Sequence, residues 1–74
     1  METIEFALRG EHITLDALLK ATGLAHSGGA AKMLIADGEV QVDGAVEQRK
    51  TCKIRTGQVV QLGDVRVQLL AVAA

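Results

Sequence analysis

The stretch His26-Ser27-Gly28-Gly29-Ala30-Ala31-Lys32-Met33-Leu34-Ile35-Ala36-Asp37-Gly38-Glu39-Val40-Gln41-Val42-Asp43-Gly44 reads as a capped helix, a glycine stop, one strand and a tight turn. Ser27 is a good N-cap, because its hydroxyl accepts from the free amides of a helix beginning at Gly28. Ala30, Ala31, Leu34 and Ile35 recur at three- and four-residue spacing and form an apolar stripe. Asp37 is the expected last residue, and Gly38 supplies the left-handed conformation that ends the helix. Val40 and Val42 then point one way and Glu39 and Gln41 the other. Asp43-Gly44 signals a hairpin, since both turn positions tolerate positive φ.

Working back from this stretch, the short link from Gly23 to His26 makes the preceding helix a direct packing neighbour. Thr14 is placed to cap that helix, Asp16 favours its positive end, and Ile13 can staple against Leu18. Leu15, Leu18 and Leu19 make its buried face, Gly23 stops it, and Leu24 can pack back onto Leu19. Arg9 to His12 is a polar connection. Before it, Ile4, Phe6 and Leu8 alternate with Thr3, Glu5 and Ala7, which predicts a half-buried strand over Thr3 to Leu8.

Working forward, Ala45 to Gln48 is the return of the hairpin. Arg49 to Arg55 has too little periodicity to assign and reads as a loop or irregular strand. Thr56-Gly57 turns the chain into Gln58 to Leu62, Gly63-Asp64 turns it again, and Val65, Val67 and Leu69 form a last alternating strand. These turns predict an antiparallel sheet. The fold class is therefore α+β, with two short packed helices against a small, mainly antiparallel sheet.

Seventy-four residues make one domain, 1–74, without room for a second core. A chain this small buries only about 60% of its unfolded surface, so its stability is on the order of 5 kcal/mol. Hydrophobic residues make up 49% of the chain and Phe6 is its one aromatic residue, so the core must be aliphatic. No apolar run approaches bilayer length, and the N-terminus lacks the basic-then-apolar pattern of a signal peptide, so a cytoplasmic protein without a membrane partner is expected. A lone cysteine forms no internal disulfide, in agreement with a reducing compartment.

Formal net charge is −1, but its distribution is uneven: residues 1–48 hold three basic and eight acidic side chains, whereas residues 49–74 hold five and one. Arg49, Lys50, Lys53 and Arg55 fall within seven residues that contain no acid. Such a cluster can contact phosphates and release counterions, or it can be a solvated loop. Gly28 and Gly29 pose a similar choice. Each glycine costs up to roughly 1 kcal/mol relative to alanine in a helix. Bare amides there can receive a phosphate, with Lys32 one turn above Gly28. Alternatively, the glycines let another helix pack close or simply vary at an exposed end.

Two helices, the second opening with Ser27 and carrying Ala31-Lys32, then Leu34-Ile35, Gly38, Val40, Val42 and Asp43-Gly44, resemble the alpha-L motif of the ribosomal-protein-S-four-like RNA-binding domains. The similarity runs from roughly Ile13 to Leu70 and suggests a small stand-alone bacterial member. Related domains occur in bacterial pseudouridine synthases, a heat-shock ribosome-binding protein and tyrosyl-tRNA synthetases. One departure stands out. The family usually has an arginine directly after the serine, where this chain has Gly28.

The resemblance implies that RNA is held by the second helix and the adjoining hairpin. Carried over by position, Ser27, Lys32, Arg49 and Lys50 match that pattern, followed by Lys53 and Arg55. Gly28 and Gly29 join them at the helix start, and His26 is a minor candidate for stacking on a base. The expectation is a monomeric, ribosome-associated, non-catalytic module that binds structured RNA, ribosomal or tRNA-like, through phosphate and shape contacts. About four phosphate contacts would give a log-log salt slope near −3.

Cys52, between Lys50 and Lys53, could be a reactive thiolate or a semi-buried small hydrophobe. Two histidines and one cysteine are too sparse for zinc, and nothing signals a catalytic pocket, so no metal, cofactor or catalytic residue is expected. The competing reading is a protein-interaction module working through hairpin edges, self-association or the alanine-rich Leu69 to Ala74. A ubiquitin-like sulfur carrier would end in Gly-Gly, whereas this chain ends in Ala73-Ala74.

Overall fold

A computed structural model describes residues 2–72 of the protein. The elements run β1 (Glu2–Leu8), β2 (Ile13–Thr14), α1 (Leu15–Ala21), α2 (Gly28–Ala36), β3 (Val40–Val42), β4 (Ala45–Val46), β5 (Lys53–Ile54), β6 (Val59–Leu62) and β7 (Val65–Ala71). Ala73-Ala74 lies outside the described residues, so the C-terminal interaction reading concerns only the end of β7 here.

Five strands form one sheet in the order β1-β7-β6-β3-β4. The turns at 43–44 and 63–64 produce the antiparallel pairs β3–β4 and β6–β7, and β3 also pairs antiparallel with β6. The sheet is mainly antiparallel, as expected, with one parallel pair that the turns did not announce. β1 joins β7 in parallel, from Glu2 opposite Val65 to Leu8 opposite Ala71. No turn links these two strands, so turn chemistry could not report their direction. Their register sets Ile4 beside Val67 and Phe6 beside Leu69, which brings two apolar alternations onto one face.

The two helices cover that face. Leu15, Leu18 and Leu19 of α1 and Ala31 and Ile35 of α2 meet Val40, Val60, Val67 and Leu69 of the sheet in one aliphatic cluster, all at 1% exposure or less. Phe6 and Leu24 are partly buried against it.

Both helix ends form where the glycines stand. Gly23 has φ +81°, and the Gly23 amide donates to Lys20 O at 3.2 Å while Ala25 N donates to Leu19 O at 3.0 Å. At Gly38, φ +76°, Gly38 N donates to Ile35 O and Glu39 N to Leu34 O, the paired bonds of a Schellman ending. Asp37 is thus the C-cap, one residue past the helix.

The start of α1 departs from expectation. Thr14 holds the N-cap position, but its side chain makes no capping bond. The first amides are satisfied from elsewhere: Leu15 N donates to Cys52 O at 2.9 Å and Asp16 N to Lys50 O at 3.1 Å. Thr14 is occupied in a second small sheet, in which β2 pairs antiparallel with β5, Ile13 opposite Ile54 and Thr14 opposite Lys53.

Candidate nucleic-acid interface

The predicted cap forms at Ser27. Ser27 is extended, at φ −155° and ψ 165°, and its Oγ accepts from Ala30 N at 3.1 Å, which fixes the first turn. A Cβ placed on Gly28 would meet nothing within 4 Å, and on Gly29 only Ser27 Oγ at 3.9 Å. Close helix packing therefore does not explain these two glycines. Lys32 and His26 are exposed nearby. His26 borders an open groove of about 330 Å³ that also involves Leu24, Met33 and Asp37.

The backbone of the basic segment is hydrogen-bonded at several points rather than running free. Just before it, Glu47 N donates to Val40 O at 3.0 Å, and Gln48 Nε2 donates to Ala36 O, also at 3.0 Å, tying the segment to the first residue of β3 and the C-terminal end of α2. Further along, the carbonyls of Lys50 and Cys52 serve as the missing caps of α1, and Cys52 N closes back on Arg49 O at 3.1 Å. Ile54 then enters the core with no exposed surface. The segment is thus fastened at both helices and at the core, while Arg49, Lys50, Lys53 and Arg55 stay exposed. Arg55 N donates to Gln58 Oε1 at 2.7 Å, which holds the turn into β6.

This anchoring divides the expected site residues into two groups. Arg49, Lys50 and Lys53 gather where α1 begins and α2 ends, and Arg55 follows directly. His26, Ser27, Gly28 and Gly29 lie at the opposite end of α2, about 13 Å away along a nine-residue helix. Lys32 stands between them on the same helix.

Among the described residues the one ion pair joins Arg49 to Glu47. Arg49 Nε donates to Glu47 Oε2 at 3.0 Å and Nη2 to Oε1 at 3.1 Å, and Arg49 N also reaches Oε2 at 3.0 Å. These bonds from Arg49 hold the Glu47 carboxyl down to about 2. Reading a seven-residue run without acids missed this partner two residues upstream. The available signal was that residues i and i+2 share a face in extended chain.

Cys52 is partly buried against the core. Burial, followed by the Glu47 carboxylate beside it, pushes its thiol up from the ordinary value. The flanking lysines therefore do not make it a reactive thiolate. The small-hydrophobe reading is the one its surroundings support.

The sequence model of the S4 domain matches residues 6–70 of the chain. The chain belongs to the S4 domain family. This S4 domain is 52% identical over 60 residues, 81% of the chain and 86% of the relative, to the Escherichia coli (strain K12) protein named "Putative RNA-binding protein YbcJ". It matches YbcJ of Shigella flexneri, which is named only as uncharacterized, to the same extent. The solution structure of YbcJ from E. coli, described as revealing an alpha-L motif involved in RNA-binding, has a TM-score of 0.68 and 46% identity, covering 96% of this chain and 89% of that one. The two helices and mixed sheet described above therefore match the alpha-L architecture, and the family match begins at Phe6, within β1.

Proposed function

We propose that this S4 domain is a non-catalytic, monomeric RNA-binding module that recognises structured RNA, ribosomal or tRNA-like, in the cytoplasm. The observation that carries the reading is the fastening of the basic segment to both helices of an alpha-L fold. A cation carried on backbone already held in place leaves only its own side chain to be ordered on meeting a phosphate, whereas one on a free loop must order the loop as well. Kinship with a protein named for RNA binding agrees with this reading.

Lys32, Lys50, Lys53 and Arg55 are exposed and, among the described residues, unpaired with any carboxylate. Four such cations correspond to a log-log salt slope near −3 if the RNA contacted behaves as single strand. The protein-interaction reading is weaker on the sheet edges. β4 is two residues long, and the long edge β1 exposes Glu2 and Glu5, which oppose pairing with a second copy of itself.

The test is binding to ribosomal subunits and to total cellular RNA between low and moderate salt, beside a Lys32→Ala, Lys50→Ala, Lys53→Ala triple variant. The proposal expects a wild-type slope near −3 that falls by about 2 in the still-folded variant. Absence of wild-type binding at low salt would overturn it.

A further inference from the structure

The geometry points to Glu47 and Arg49 as a pre-oriented reader of an unpaired guanine base, with the end-on face of the guanidinium meeting the O6 and N7 acceptors of the base. This inference rests on the RNA-binding reading above and gives part of that surface a base preference.

Three observations support it. The first is the way the arginine is held. Glu47 takes Nε and Nη2 side-on, at 3.0 and 3.1 Å, and the Arg49 amide clamps the same carboxylate at 3.0 Å. That leaves Nη1 and the outer hydrogen of Nη2 as a fork, the pair of donors that fits guanine O6 and N7 bidentately. Exposure differs sharply across the pair: the Glu47 side chain is 18% exposed and the Arg49 side chain 78%, so the buttress is sheltered and the fork faces solvent.

Charge is the second observation. Glu47 and Arg49 together carry no net charge, so docking a phosphate there would release little counterion and would bring an anion toward the Glu47 carboxylate. A guanine edge is an uncharged acceptor pair and carries neither penalty. Because the Glu47 carboxyl is held down to about 2, the pair stays ionised throughout the neutral range.

Space is the third. An open cleft of about 360 Å³, lined by Arg49, Thr51, Cys52 and Lys53, adjoins the pair and lies at the small end of the range for ligand sites. Thr51 offers a hydroxyl beside the base, and Lys53 offers a charge for the nucleotide's own phosphate. Paired A-form RNA hides O6 and N7 in its deep, narrow major groove, so the guanosine must sit in a loop, bulge or end.

Interference mapping on fragmented ribosomal RNA tests this directly. One RNA pool is lightly methylated at guanine N7 and a second is ethylated at phosphates; each is partitioned by wild-type protein, Arg49→Ala and Glu47→Gln at low salt. A good bidentate guanine contact discriminates by roughly 5- to 150-fold, so the wild-type-bound pool should be depleted at least about fivefold in N7-methylguanine at the bound site. That depletion should vanish with Arg49→Ala and weaken with Glu47→Gln, while the pattern of ethylation interference stays the same. The inference is overturned if wild type binds RNA with no interfering guanine. It is equally overturned if Arg49→Ala instead removes ethylation-sensitive phosphates, or if Glu47→Gln tightens binding to both pools. Retention of no RNA by wild type overturns the RNA-binding reading itself, and the two failures are thereby distinguished.

Discussion

Replacing Asp43 separates two forces that shape the hairpin beside the basic segment. Asp43 is the one non-glycine residue with positive φ among the described residues, at 52°. Its carboxylate also clamps the start of β6, with Oδ1 accepting from Val59 N at 3.0 Å and Oδ2 from Gln58 Nε2 at 3.1 Å. Alanine at 43 loses both bonds and meets the left-handed penalty. Two exposed hydrogen bonds contribute about 1 kcal/mol together after competition with water, and the left-handed backbone costs alanine about 1 kcal/mol more. Glycine loses the bonds but carries no backbone penalty, and asparagine keeps one bond and tolerates the conformation. The expected destabilisations are thus about 2 kcal/mol for Asp43→Ala, about 1 for Asp43→Gly and about 0.5 for Asp43→Asn. In a domain this size each kcal/mol moves Tm by roughly 4–8 °C, so the three variants should melt in that order across a span of several degrees. Thermal unfolding followed by circular dichroism reads all three. Equal losses for alanine and glycine would refute the backbone argument, and no loss in any variant would refute the clamp.

Because a Cβ at Gly28 or Gly29 meets open space, Gly28→Ala and Gly29→Ala should each raise stability by about 0.4–1 kcal/mol in urea unfolding. Gly28→Arg, which restores the family's usual arginine after the serine, should fold normally and steepen the salt dependence of RNA binding by about 0.7 per added phosphate contact. The lowered Glu47 carboxyl contributes stability that is fully present above its unfolded value near 4.5 and fades as pH falls toward about 2; the Glu47 side-chain NMR shift should titrate with a midpoint near 2, and the Arg49 Nε signal should move with it. Cys52 should alkylate more slowly than an ordinary thiol at pH 8, and Glu47→Gln should speed that reaction by removing the carboxylate that raises its thiol.

Local signals carried far into this fold and stopped at identifiable points. The cap at Ser27, the ending at Gly38 and the turn at Asp43-Gly44 were legible because each depends on residues a few positions apart. β1 against β7 was not, because the partners lie at opposite ends of the chain and no turn connects them. β5 is two residues long, too short for any period, and is defined by its pairing with β2, a partner about forty residues away in the chain. The amides that Thr14 was placed to cap are instead met by the carbonyls of Cys52 and Lys50, partners that no local pattern reports. Within the candidate site, exposure of the four cations followed from their charge, whereas the pairing of Arg49 with Glu47 and the tie from Gln48 to Ala36 depend on how the extended segment crosses the end of α2.

On the proposed function, a basic segment held in place by two helices forms the RNA-contacting surface. An amide-resolved NMR titration of the isotope-labelled protein with fragmented ribosomal RNA tests it most directly. Salt-sensitive shifts should concentrate at Arg49 to Lys53 and at Lys32, extend to His26 through Gly29, and leave the outer edge of β1 unmoved. Shifts confined to the β1 and β4 edges, or none at low salt, would contradict the account.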